Sequence, residues 1–366
     1  TNFTVTSVDI QGIKTLNKDD YLKDLPIKEG DKLIPQKAID GAQELFKSGY
    51  FSTVEPKIDR KADNTVSIMY EVQENPAVQS INIQGNTLFT NAQLEEALGI
   101  KKGEILNGNL LNPDSNGIIG LYSKNGYSTA RIESITVGET GDVNIGLSEG
   151  IVKDITFEKS TPKNDNDRQS SKRTKLRTKD YVLERYLEVK PGQVLNNSDL
   201  ESSIRELYRT GIFTRVTPEL YGSETDPNER NIKFIVEERP TTTINGSISY
   251  GTSVGLVGGL KLSDDNFLGR DQQASINLEA SNKGDKTFSI DWFDPWVKGT
   301  ERVQLGGSFY WTQSVDDNAD ADEVEKVRKI GTRWQIGKGL NSDIDVRFVA
   351  RFDNYKELFA NKKVND

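Results

Sequence analysis

The chain has 366 residues, 28% of them charged, with a formal net charge of −9 and neither cysteine nor histidine. That length accommodates several domains, and the acidic balance argues against a nucleic-acid partner. The missing residue types remove disulfides, thiol nucleophiles and zinc–thiolate sites, along with the commonest general base and metal ligand; no catalytic, metal-binding or cofactor-binding residue is picked out. No stretch approaches the roughly 18 apolar residues of a membrane-spanning helix. The low hydrophobic fraction of 34% is still compatible with membrane strands, which alternate and give weak hydropathy. No secretory leader is evident, and Thr1 suits a mature or trimmed start.

One short pattern occurs three times: Leu45-Phe46-Lys47-Ser48-Gly49-Tyr50-Phe51, Leu121-Tyr122-Ser123-Lys124-Asn125-Gly126-Tyr127 and Leu207-Tyr208-Arg209-Thr210-Gly211-Ile212-Phe213. Each is the end of an amphipathic helix, a glycine fit for a left-handed stop, and an aromatic residue near the start of a strand. A second pattern precedes each copy and centres on Gly30, Gly103 and Gly192; the separations are 19, 23 and 19 residues. Two patterns at near-fixed separation, three times over, define an internal repeat.

Repeat one covers residues 1–75. Residues 5–10 alternate as a strand, and a short helix follows over about 18–25. A second helix carries Ala38, Ile39, Ala42, Leu45 and Phe46 on its apolar face, and strands at 54–59 and 66–72 finish a β-α-α-β-β unit. Repeat two, 76–150, restates this order; Thr90 and Gln93 form a capping box, and its second helix is weakened by Gly117 and Gly120. Repeat three, 151–240, carries a polar insertion at 159–175 that reads as a flexible, solvated loop. Its cations Arg168, Lys172, Arg173, Lys175, Arg177 and Lys179 could also meet anionic lipid or an acidic partner. Ser198 and Glu201 are expected to cap a helix bearing Leu200, Ile204, Leu207 and Tyr208.

Beyond Pro240 the helical period disappears. Alternating segments at 243–250, 256–263, 273–280, 287–293, 302–313, 327–336 and 343–352 are punctuated by glycine and asparagine, which predicts an antiparallel meander of about seven strands over 241–366. Aromatic residues cluster near some strand ends (Trp292, Phe293, Trp296, Phe309, Tyr310, Trp311), as in the girdle of a membrane barrel. The fold class is therefore α+β followed by all-β.

These features resemble the Omp85 superfamily of outer-membrane assembly proteins, of the BamA type, over essentially the whole chain. The three helix-stop patterns match the family's POTRA domains, and Asn266-Phe267-Leu268-Gly269-Arg270 and Phe293-Asp294-Pro295-Trp296 look like its early barrel segments. The resemblance implies three tandem POTRA domains followed by the N-terminal strands of a transmembrane β-barrel, with the POTRA domains in the periplasm. The family's Val/Ile-Arg-Gly-Phe/Tyr loop motif is missing, Asp366 stands where a terminal aromatic residue is expected, and seven strands do not make the family's sixteen-stranded barrel. A fragment is therefore expected. The implied partners are unfolded outer-membrane protein precursors, outer-membrane lipid and accessory assembly subunits. Alternatives are a translocation-assembly or two-partner secretion transporter, a POTRA-bearing lipase of the patatin type, and a soluble adhesin.

The expected working parts are exposed backbones. In the POTRA arrangement the strand after each helix-stop glycine lies at a sheet edge, where an extended client can add as a further strand. The residues concerned are Val54, Glu55, Lys57 and Ile58, then Ala130, Ile132 and Ile135, then Val216, Thr217, Glu219 and Leu220. Thr243, Asn245, Ser247 and Ser249 belong to the first barrel strand, which the resemblance makes a weak seam for client entry. Gly49, Gly126 and Gly211 are read as structural. Two further patterns are given bland readings. Gly251-Thr252-Ser253-Val254-Gly255 mimics a nucleophile elbow but joins two strands and has no histidine base. Asp316, Asn318, Asp320 and Asp322 imitate a calcium loop, yet Ala321 and Val327 occupy its glycine and glutamate positions.

Overall fold

A computed structural model describes residues 3–160, 175–316, 323–341 and 343–361. The insertion cations Arg168, Lys172 and Arg173, the loop residues Asn318, Asp320, Ala321 and Asp322, and Asp366 lie outside the described residues. Contacts divide the chain into two compact units: Thr1–Asp154 with Val189–Ser198 and Tyr221–Asn231, and Ile155–Glu188 with Asp199–Leu220 and Ile232–Asp366.

In the first repeat, β1 (Thr4–Gln11), α1 (Lys18–Leu22), α2 (Pro35–Lys47), β2 (Phe51–Arg60) and β3 (Thr65–Glu74) follow one another. The sheet order is β1-β3-β2, with β1 parallel and β2 antiparallel to the central strand. Val66, Ile68, Tyr70 and Val72 alternate into the core and meet Ala38, Ala42 and Leu45 of α2. Burial pushes the Tyr70 phenol up to about 12, and its hydroxyl donates to the Ala38 carbonyl at 3.1 Å. The face of α2 differs from the expected one. Gly41 replaces a side chain under the Tyr70 ring, where a Cβ would lie 2.3 Å from the hydroxyl. That turns Ile39 and Phe46 outward, 45% and 56% exposed.

The second repeat is β4 (Ser80–Gln84), α3 (Asn91–Leu98), α4 (Gly117–Lys124), β5 (Arg131–Val137) and β6 (Asp142–Ser148), in sheet order β4-β6-β5. Thr90 and Gln93 form the expected capping box. The glycines of α4 have different roles. A Cβ on Gly117 would sit 1.6 Å from the Ala97 carbonyl oxygen, whereas one on Gly120 meets nothing within 4 Å. Gly117 is therefore the close-approach point of α4 on α3, which repays its low helix propensity.

One glutamate holds this repeat closed. Glu149, 1% exposed, accepts the N–H groups of Thr87 and Leu88 at 2.8 and 3.1 Å, as well as the Thr87 and Tyr122 hydroxyls. Burial pushes its carboxyl up, but these donors outweigh burial and hold it below its ordinary 4.5. Burial and the nearby carboxylate raise the Tyr122 phenol. Glu74 plays the same part in repeat one, accepting from Lys14, Thr15 and Leu16, and Glu238 in repeat three, accepting from Arg177 and Thr178 at 2.9 and 2.7 Å.

The third repeat comprises β7 (Ile151–Lys159), α5 (Asp180–Glu184), α6 (Asn197–Arg209), β8 (Phe213–Gly222) and β9 (Glu229–Glu238), in order β7-β9-β8. Its helix start differs from expectation. Helix α6 begins at Asn197, and the Asn196 side chain, not Ser198, accepts the first free amide, that of Ser198, at 2.9 Å. Tyr208 is exposed rather than on the buried face.

Seven strands form a continuous antiparallel meander: β10 (Thr242–Gly251), β11 (Gly255–Phe267), β12 (Gln272–Ser281), β13 (Lys286–Asp294), β14 (Val303–Asp316), β15 (Glu323–Gly339) and β16 (Asp345–Asn361). The register aligns Ile244, Leu262, Ile276, Ile290, Phe309, Thr332 and Phe352 across one face. One residue along, Asn245, Lys261, Asn277, Ser289, Tyr310, Gly331 and Asp353 share the other. One face suits hydrocarbon and the other a wet interior. Strands β15 and β16 reach 17 residues each, longer than the alternation alone indicates.

Two outcomes test the packing. Gly117→Ala should destabilise the second repeat by about 1–3 kcal/mol through overpacking, whereas Gly120→Ala should stabilise it by up to about 1 kcal/mol. Amide hydrogen exchange of α3 and α4 in the complete chain separates the two. Glu149→Gln should remove about 2 kcal/mol at neutral pH, because it loses hydrogen bonds to a charged acceptor. The native carboxyl lies below its unfolded value, so the wild-type advantage is present above pH 4.5 and is lost as pH falls through the lowered value. The two urea midpoints should converge in acid.

Candidate functional site

Each repeat has two potential sheet edges, and one is closed by the chain itself. The loop at Gly30 returns along β1, with Gly30 donating to Val5 and Val5 to Asp31 at 2.8 and 2.9 Å. Gly103 and Glu104 do the same to Val78, and Gly192 and Gln193 to Val152. The second repeated pattern is therefore an edge cover. The strand after the helix-stop glycine forms the opposite edge in every repeat: β2, β5 and β8. All three helix-stop glycines have positive φ, at 82°, 86° and 68° for Gly49, Gly126 and Gly211, where a Cβ is disfavoured.

Two of those glycines, Gly49 and Gly126, also lie at contacts the sequence did not disclose. The Gly49 carbonyl accepts the Gly108 N–H at 2.7 Å, and the Gly126 carbonyl accepts the Asn197 N–H at 2.9 Å. A Cβ on Gly49 would sit 2.0 Å from the Asn107 side-chain oxygen. Asn109 donates to Lys47 and Asn196 to Asn125 beside them. Within the first unit, each of these two glycine turns thus meets an asparagine-bearing loop later in the chain.

The open edges are not equivalent. Lys61 donates inward to Thr65; alternation then turns Glu55 and Lys57 toward β3 and aims the backbones of Val54, Pro56 and Ile58 outward. Ser223 donates inward to Glu229, so Thr217 and Glu219 face β9 while Val216, Pro218 and Leu220 face out. Prolines take outward positions, where no ladder bond is lost, but each removes a donor a client would need. Val216 requires a correction. Its side chain is buried, and its outward N–H donates to the Tyr208 hydroxyl at 3.0 Å. Ala130 is also corrected: it lies in the turn before β5, its N–H bonded to Tyr127. Within β5, Gly138 donates inward to Asp142, so Ile135 and Val137 face out with no proline between. Ile132 lies beyond a bulge.

Strand β10 is one end of the seven-stranded sheet and pairs with β11 alone. Thr243, Asn245, Ser247 and Ser249 share its polar face, opposite Ser263, Lys261, Gly259 and Val257; the Thr243 and Ser263 hydroxyls are 2.8 Å apart. The Gly251–Gly255 segment is the β10–β11 hairpin turn, with Gly255 at φ 76°, so it has no elbow geometry. Among the described residues no group of three or more acidic, histidine or cysteine side chains could hold a metal ion.

The second unit also contains a polar joint. Arg177 pairs with Asp264 and donates to Thr241; it is therefore committed to protein and not presented to lipid. Thr178 accepts from Asn266, whose own oxygen receives the Asp271 amide. Arg185 pairs with Asp271 at 2.9 Å and donates to the Trp296 carbonyl, and the Tyr186 hydroxyl donates to Asp271. Burial pushes the Asp271 carboxyl up to about 6 against these partners. The turn before β12 and the turn after β13 are thereby fixed to α5.

Three α/β repeats, each with one covered and one open edge, lead into an antiparallel sheet with one apolar and one polar face. This is the architecture of a membrane-barrel protein preceded by strand-edge modules. The POTRA family model, described as a surface antigen variable number repeat, matches residues 3–75, 76–150 and 174–239, and the Omp85 superfamily domain matches 266–365. The chain belongs to the Omp85 superfamily, and it is an outer-membrane protein with periplasmic POTRA modules.

It is 24% identical over 271 residues to outer envelope protein 80 of Oryza sativa chloroplasts, covering 72% of this chain and 39% of that protein. It is 30% identical over 150 residues to the outer membrane protein assembly factor BamA of Nitratidesulfovibrio vulgaris, covering 40% of this chain and 19% of that one. The chain thus spans well under half the length of these relatives. POTRA domains 1–3 of Omp85 from Anabaena superpose with a TM-score of 0.53 at 24% identity, covering 65% of this chain and 96% of that structure.

Tyr208→Phe should release the Val216 amide, speeding its hydrogen exchange about five-fold for a hydrogen bond worth about 1 kcal/mol. Exchange at Leu207, in the core, should not change.

Proposed function

We propose that the chain is the periplasmic and barrel-opening part of an outer-membrane protein assembly factor. Its POTRA modules, at 1–75, 76–150 and 151–240, capture unfolded β-barrel precursors as added strands and pass them to the barrel that begins at 241. The observation that carries this reading is the single open edge of each module, with its opposite edge covered by the chain's own loop. Strand addition through main-chain groups makes little demand on client sequence, as a factor with many clients requires. Strand β5 is the strongest receptor because its outward donors are uninterrupted. Strands β2 and β8 lose donors at Pro56 and Pro218, and β8 a further one to Tyr208. The free edge of β10 is the receiving strand at the membrane. Work comes from the client's own pairing and burial, without covalent chemistry or nucleotide. Accessory assembly subunits and outer-membrane lipid are the further partners.

Photo-crosslinking in cells tests this, with probes at Ser134 on β5, Glu219 on β8 and Ser249 on β10 of the complete gene product. Adducts with many nascent barrel proteins, most abundant at Ser134, are expected. Adducts with a single secreted partner would instead support a dedicated translocation-assembly or two-partner secretion transporter. A functional protein without adducts at any of the three sites would overturn edge capture.

A further inference from the structure

The apolar face of the seven-stranded sheet changes character abruptly at one end. The row Gly246–Leu260–Leu278–Phe288–Trp311–Ile330 is apolar from β10 to β15 and ends on Asn354 of β16. The next row, two residues toward the β10–β11 hairpin, reads Ile248–Gly258–Ala280–Lys286–Gln313–Arg328–Lys356. Lys326 follows on the same face beyond it, opposite Val315 and Leu358. Four cations thus edge the apolar surface, and the strand residues of these rows include no carboxylate. None of the four forms a salt bridge among the described residues. The acids of this face, Asp264 and Asp294, lie at the opposite end, where they accept from Arg177 and Gln272.

The cationic end is built and open. Gln313 donates to the Gly284 carbonyl at 3.0 Å and accepts from Arg328 Nε at 3.0 Å. That anchors the guanidinium while leaving its terminal nitrogens without a protein hydrogen bond among the described residues. Beside it lies a groove of about 910 Å³ whose lining includes Gly246, Gly258, Ala280, Phe288, Trp311 and Lys286; Glu279 also borders it, from a strand position belonging to the opposite face. A Cβ on Gly246 or Gly258 would meet nothing within 4 Å, so the floor is unfilled by protein. Lys286 and Arg328 are two strands apart, roughly 10 Å between backbones, a gap their long side chains close on one anion.

We infer that this end of the sheet binds a phosphate-headed lipid, its acyl chain in the glycine-floored groove and its phosphate between Lys286 and Arg328, with Lys356 adjacent. The apolar groove and the unneutralised cations call for one ligand that is both aliphatic and anionic, and arginine is suited to a two-pronged grip on phosphate. Cations on a lipid-facing strand are tolerated only near the interface, and a phosphate there offsets their charge. Strand β10 leaves the periplasmic module at Thr242 and reaches this row at Ile248, so the site lies in the outer leaflet.

The test uses the complete gene product in nanodiscs, with native mass spectrometry counting retained lipid. Lipid A and its dephosphorylated form are the probes, alike in acyl chains and different in phosphate. Wild-type protein is expected to retain lipid A at least five-fold over the dephosphorylated form. A variant combining Lys286→Gln, Arg328→Gln and Lys356→Gln should lose that preference, and Gly258→Leu should lower retention of both lipids while the cations remain. Heat-modifiable gel mobility confirms that each variant keeps its barrel. Equal retention of the two lipids by wild-type protein, or an undiminished preference in the charge variant, would overturn the assignment.

Discussion

Each central strand ends at, or is directly followed by, a glutamate, Glu74, Glu149 or Glu238, whose carboxylate gathers main-chain N–H groups from a segment that packs beside it. The bonds are charge-assisted, and those of Glu149 are buried, where an unmatched donor is costly. The rest of a module depends on this closure. In the first two repeats it fixes the loop after the first strand, which fixes that strand parallel to the centre. The Gly30- and Gly103-type loops can then run along the outer edge. Once that edge is covered, the sheet edge left to a partner among the described residues is the strand behind the helix-stop glycine.

For the proposed capture of clients by strand addition, the three edges form a graded set. A sheet edge with every donor and acceptor free invites promiscuous pairing, including with other copies. Here the third module's edge is blunted twice, by Pro218 and by the Tyr208 hydroxyl, and the first module's once, by Pro56. Phe46 stands at the first-module position of Tyr208, three residues before the glycine, and has no hydroxyl to donate or accept. At that one amide, the difference between the two edges is the tyrosine hydroxyl.

Much of this was legible in the sequence because it rests on periodicity and punctuation. The triple repeat, the capping box at Thr90 and the seven alternating segments are local signals, and each corresponds to an element of the fold. What was not legible depends on atoms distant in sequence. Gly117 looked like a weakness in a helix because the Ala97 carbonyl it accommodates belongs to another helix. Ile39 and Phe46 fit an apolar stripe, but the Tyr70 ring claims the space over Gly41 and rotates that stripe. Val216 was placed on the right strand, yet its outward N–H is taken by a tyrosine eight residues earlier. The prolines at the seventh position after Gly49 and Gly211 were the one sequence signal for edge direction, since proline is tolerated only where its missing N–H faces away from the ladder.

The same reasoning connects the modules to the membrane sheet. Within the second unit, Arg177 and Arg185, both cations of the third repeat, are spent on Asp264 and Asp271 in and beside the turn between β11 and β12. Arg185 and Asp271 are nearly buried, so removing either partner would strand a charge, a larger penalty than losing a surface pair. The polar joint therefore ties β11, the turn before β12 and Thr241 at the foot of β10 to the segment around α5, whereas β10 beyond that foot pairs with a single neighbour, bears no buried side chain along most of its length and contains Gly246 in its middle. Restraint decreases toward the strand with the free edge. The receiving role proposed for β10 would use that gradient, because a partner added at its free edge takes main-chain groups that the joint at Arg177 and Arg185 does not use.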